Sequence, residues 1–120
     1  MPTTTWLDSL LGPGDTIGVA VAVGNSPFTF SSENIALCDV SGGAVTVNLP
    51  PATSRTTLPR TVKNAVGAAT ANNITVGGSA IPLEDPNAPG TYSNTTIALK
   101  VNGASVTWFY DPVNIRWTII

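Results

Sequence analysis

The chain has 120 residues, with no histidine and a single cysteine, Cys38. Without histidine it lacks the commonest general base and the usual partner that activates a thiol or hydroxyl. The single cysteine excludes an intrachain disulfide, and one cysteine with no histidine reads against zinc. Charge is also scarce: 10% of residues are Asp, Glu, Lys or Arg, against about 25% in ordinary soluble domains. The net charge is −2. Arg55, Arg60 and Lys63 form one local basic stretch, but it falls short of the dense basic patch of a nucleic-acid binder. No apolar run approaches the ~20 residues of a spanning helix. The N-terminus shows no charged region followed by an apolar one, so no secretory leader is visible. These absences read against nucleic acid, membrane and metal, and no cofactor is expected.

The hydrophobic fraction of 42% suffices for one core. A chain rich in Thr, Ala, Val, Asn, Gly and Pro favours short strands and turns over helices. The clearest pattern is at 95–120. Asn102-Gly103 predicts a two-residue type I′ hairpin, with Val101 opposite Ala104, Leu99 opposite Val106 and Ile97 opposite Trp108. A loop at Asp111-Pro112-Val113-Asn114 then pairs Tyr110 with Ile115, Trp108 with Trp117 and Val106 with Ile119. One face collects Ile97, Leu99, Val106, Trp108, Ile115, Trp117 and Ile119. On the other, Phe109 stacks on Arg116.

Upstream, strands are predicted over 17–23, 28–30, 34–40, 45–49, 58–65 and 73–76, with an edge strand at 81–83. Residues 34–40 and 45–49 read as a hairpin around Ser41-Gly42-Gly43-Ala44, pairing Val40 with Val45, Cys38 with Val47 and Ala36 with Leu49. Pro50-Pro51 ends it, since proline donates no ladder hydrogen bond. The fold class expected is all-β, an antiparallel sandwich or jelly-roll-like single domain over 15–120. No internal repeat is evident. Residues 1–14 read as a short N-terminal arm. Its Trp6, Leu7, Leu10 and Leu11 have the spacing of one or two turns of amphipathic helix. So short a helix needs a surface to order it, its own domain's or a partner's.

Chemistry is hard to place. The carboxylates are Asp8, Asp15, Glu33, Asp39, Glu84, Asp85 and Asp111, and most stand beside Gly or Pro or at strand ends, as turn formers do. Glu84-Asp85 falls short of the six to eight oxygens calcium takes. Gly42-Gly43 and Gly77-Gly78 lack the helix and lysine of a phosphate loop. Trp108 and Trp117 face inward in the predicted register, which makes them core residues in preference to a sugar platform. Cys38 shares a face with Ala36 and Val40 and reads as a small buried hydrophobe. No enzymatic activity is expected.

Four segments, taken together, carry a resemblance. They are Ser41 to Pro51 (SGGAVTVNLPP), Thr61-Val62-Lys63-Asn64, Asn72-Asn73-Ile74-Thr75-Val76 and the Trp-containing final strand Trp117 to Ile120. From about Ile35 onward the chain resembles a β module of tailed-phage structural proteins, found in head and tail fibres and in capsid decoration (cement) proteins. It departs from them in a longer 84–90 loop and in Asp-Pro-Val-Asn at 111–114. The resemblance implies a compact, usually trimeric β fold without enzymatic activity.

A chain that begins with Met and ends on its last strand reads as a free-standing decoration protein on the outer capsid surface of a virion. Its partners would be the major capsid protein and further copies of itself. Trp6, Leu7, Leu10 and Leu11 are the expected capsid anchors, and Ile35, Leu37 and Phe109 the expected oligomer contacts. The alternative is a head-fibre or tail-fibre protein that binds a host receptor or glycan through the 84–94 loop, Tyr92 included.

Overall fold

A computed structural model describes residues 18–52 and 58–120. Among the described residues, alternation of β-branched with small or polar residues produces eleven strands, with a 3-10 turn at Val23–Asn25. The strands are β1 (Gly18–Val21), β2 (Phe28–Thr29), β3 (Ile35–Asp39), β4 (Val45–Asn48), β5 (Arg60–Val66) and β6 (Ile74–Gly77). They continue with β7 (Leu83–Glu84), β8 (Tyr92–Ser93), β9 (Thr96–Leu99), β10 (Ser105–Asp111) and β11 (Arg116–Ile119).

Two mixed sheets result. One has seven strands in the order β1-β3-β5-β10-β11-β7-β8, the other four in the order β2-β4-β6-β9. Up to β6 the chain alternates between sheets, so β1, β3 and β5 run parallel in one while β2, β4 and β6 run parallel in the other. It then turns back, with β9 antiparallel to β6 and β10 antiparallel to β5. The all-β expectation holds. The antiparallel one does not, because five of the nine strand pairings among the described residues are parallel.

Both sheets contribute to one core. Val21, Ala36, Cys38, Val62, Leu83, Trp108 and Trp117 come from the large sheet, and Val45, Val47, Ile74, Val76, Ile97 and Leu99 from the small one. Each buried indole N–H has an acceptor at 3.0 Å, the Glu84 carbonyl for Trp108 and the Gly78 carbonyl for Trp117. These bonds satisfy donors that would otherwise be costly to bury.

The predicted hairpin of 34–40 with 45–49 does not form: β3 and β4 belong to different sheets. Val40, just past β3, and Val45 on β4 are both buried, but the two strands do not pair. The Asn102-Gly103 turn is present, closed by a hydrogen bond from Ala104 N–H to the Val101 carbonyl at 3.1 Å. Only Gly103 has positive φ, +74°, the pattern of a type II turn. Type II lacks the twist that keeps hairpin strands paired, and here the chain passes from β9 in the small sheet to β10 in the large one. Positive φ at two successive residues occurs instead at Ser79 and Ala80 (+51° and +74°), in the turn closed from Ile81 N–H to the Gly78 carbonyl.

The β10–β11 hairpin forms, two residues out of the predicted register: Trp108 pairs with Ile119, Tyr110 with Trp117 and Asp111 with Arg116. A shift of two preserves every face, so both tryptophans still point inward. Within this hairpin Ile115 changes place, moving into the loop with φ +54° and 55% exposure. The strand expected at 81–83 is β7, which lies between β11 and β8 and is not an edge.

Candidate functional site

The larger of the two sheets, with seven strands, turns one face outward. Alternation on β3 buries Ala36 and Cys38 and turns Ile35 and Leu37 outward. On β10 it buries Trp108 and turns Ser105, Thr107 and Phe109 outward. Register sets these residues in rows across the strands. Gly18, Ile35, Thr61 and Thr107 form one row, which Ile120 extends through a hydrogen bond from its N–H to the Thr107 carbonyl. Ala20, Leu37, Lys63 and Ser105 form the next. Phe109 stands beside Thr118 in a third. Ile35, Leu37 and Phe109, the expected oligomer contacts, therefore share this face. Leu37 is 40% exposed and the other two are half-buried.

Within the face lies a groove of about 370 Å³ lined by Asn34, Ile35, Leu58, Pro59, Thr61, Thr107 and Ile120. Thr61 and Thr107 hydrogen-bond to each other through their hydroxyls at 2.7 Å, which leaves their methyl groups to line it. At the Tyr92 end the face becomes polar. Glu84 accepts hydrogen bonds from Gly90 N–H, Ile119 N–H and the Tyr92 hydroxyl. These donors, led by Gly90, hold its carboxyl below the usual carboxylate range. Arg116 lies over the Tyr92 ring at 4.2 Å and 3.7 Å from Asp111. The predicted stacking of Arg116 on Phe109 is thereby replaced, because the two-residue register shift puts Thr118 opposite Phe109.

The other described carboxylates brace turns. Asp39 accepts from Ser41, Asp85 from Asn87, Asp111 from Val113 and Asn114, and Glu33 from Ser31. Asp39, Asp111 and Glu33 have their pKa values lowered, with those hydrogen bonds as the leading cause. Burial pushes the Cys38 thiol up to about 12, so it stays protonated at neutral pH. Among the described residues, no group of three or more His, Cys, Asp or Glu side chains is placed to hold a metal ion.

The Thr-Val-Lys-Asn segment has a structural role as well. Lys63 donates to the Gly103 carbonyl, while Asn64, buried, accepts from Gly103 N–H and donates to Val66.

Comparison with protein-family models and with curated proteins finds no match. Trp6, Leu7, Leu10 and Leu11 lie outside the described residues, as do Asp8, Asp15 and Arg55. The basic stretch makes no surface patch among the described residues. Arg60 is 1% exposed, with its guanidinium donating to the Leu58 and Ser31 carbonyls beside the Phe30 ring. Sequence reasoning missed this inward turn, although Arg60 has the same parity as buried Val62 and Asn64 on β5. It also missed the groove, whose walls come from four separated segments of chain.

Proposed function

We propose that this chain is a virion structural protein, a capsid decoration (cement) protein. It would sit on the outer capsid surface as a homotrimer, contact the major capsid protein and bridge neighbouring capsomers against internal pressure. The two sheets would be the layers of a sandwich that displays one broad face. The observation that supports this reading is the character of that face: Gly18, Ala20, Ile35, Leu37 and Phe109 lie among threonines, and Lys63, its one central charge, is engaged with Gly103. A surface of low charge with aligned apolar groups suits adhesion between proteins. The high pKa of Cys38 and the internal use of the described carboxylates support a role without catalysis. The fibre reading has less support, because the Tyr92 ring is covered by Arg116 and its hydroxyl is taken by Thr118 and Glu84.

In this proposal Trp6, Leu7, Leu10 and Leu11 anchor the protein to the capsid. Deleting residues 1–14 should leave a folded oligomer that no longer co-sediments with undecorated capsids. Undiminished co-sedimentation would remove the arm from the mechanism.

A further inference from the structure

The groove has carbon walls from Ile35, Leu58, Pro59 and Ile120, and its two threonine hydroxyls are bonded to each other. Asn34 is buried at its margin, and Arg60 is turned to the interior. A charged ligand would find no opposite charge among these lining residues, so the chemistry selects an apolar occupant. At about 370 Å³ the groove lies at the small end of the ~300–1,000 Å³ range of ligand sites. It is large enough for one or two bulky side chains.

We propose that its occupant is the chain's own Trp6–Leu11 segment. That segment carries Trp6, Leu7, Leu10 and Leu11 with one charge, Asp8. The point of entry favours it. Gly18 pairs with Ile35 and Ile35 with Thr61, so the polypeptide joins the sheet in the groove's own row. It does so two strand spacings, roughly 10 Å, from Thr61. Leu11 precedes Gly18 by seven residues, a reach of roughly 23 Å when extended. A tether of that length gives an effective concentration on the order of millimolar, so modest apolar contact suffices to seat the segment. This inference goes beyond the capsid role; the seated segment would cover Ile35 and leave Leu37 and Phe109 to the trimer contact. The seated segment would shield the anchors until a capsid competes for them.

The test uses the full-length chain with methyl-labelled Ile and Leu, the Trp6 indole being assigned from Trp6→Phe. Nuclear Overhauser contacts are expected from the Trp6 indole to methyl groups of Ile35, Leu58 and Ile120. A second readout is the fluorine spectrum of protein carrying 5-fluorotryptophan. Thr61→Arg, which fills the groove from a half-exposed position, should move the Trp6 signal to the position of free tryptophan. The buried Trp108 and Trp117 signals should stay in place and report an intact fold. Absence of any Trp6 contact to the three methyl groups would overturn the proposal. So would contacts seen only between differently labelled chains, which would make a second copy the occupant. Capsid co-sedimentation that depends on residues 1–14, combined with an empty groove, would preserve the decoration role and eliminate the seat alone.

Discussion

At the scale of single residues, Glu84 joins three separate parts of the chain. Its carboxylate gathers the 84–90 loop through Gly90, the end of β11 through Ile119, and β8 through Tyr92. Each donor favours the ionised form, so the folded pKa lies below the unfolded one. A depressed carboxyl pKa adds stability above the unfolded value and loses it as pH falls through the folded value. Glu33, Asp39 and Asp111 have shifts of the same sign. The sequence has no histidine, the side chain that ordinarily titrates between about pH 5 and 8. Urea midpoints should therefore be flat across that window and fall in acid, and Glu84→Gln should have a lower midpoint at neutral pH and a shallower acid slope.

Two other residues are held against their preference. Ala80 and Ile115 have φ of +74° and +54°, a region costly for any side chain and most of all for a β-branched one. Replacing either with glycine should stabilise the protein by about 0.5–1 kcal/mol, after allowing for the greater freedom of the unfolded chain. Thermal melts of Ala80→Gly and Ile115→Gly would check this.

At the scale of elements, the turns carry the constraints that the strands do not. Gly67 follows β5 with φ +85°, and a Cβ there would lie 2.6 Å from the Ser41 nitrogen. Gly90 has a nearly equal φ of +83° but open space around it. Gly67→Ala should thus cost at least ~2 kcal/mol, the conformational penalty plus a backbone clash, and Gly90→Ala about 1 kcal/mol. Similar melting temperatures for the two variants would contradict this account of Gly67.

The strands themselves were largely legible, but of their pairings only that of β10 with β11 was. Parity alone placed Cys38, Trp108 and Trp117 inward, and it would have done so for Arg60. The same parity results whether Val40 and Val45 belong to paired strands or face each other across a core, so alternation cannot separate a hairpin from an arch between sheets. Asn102-Gly103 is compatible with both turn types. The coiling of the first six strands also left no sequence period. Gly18, Ile35 and Thr61 stand side by side, yet successive spacings are 17 and 26 residues. The groove inherits the same difficulty, because four distant segments meet only once these pairings are made.

At the scale of the whole molecule, the large sheet separates a core-facing side from a side offered outward. Leu37 is the most exposed of Ile35, Leu37 and Phe109 on the outward side. Leu37→Asp places a charge in the row of Lys63 and Ser105 without touching the core. In the proposed trimer it should lower the sedimenting mass about threefold, to that of a monomer, while leaving the near-ultraviolet signal of the buried tryptophans unchanged. An unchanged mass would move the oligomer contact to another surface.

The passage of the chain back and forth between layers bears on how the protein comes apart. Neither layer is a contiguous stretch of polypeptide, and most strands wait for a neighbour far away in sequence. Half of the molecule has no means of persisting while the other half melts, so heat or urea should produce one all-or-none transition, with refolding slow for a chain of this length.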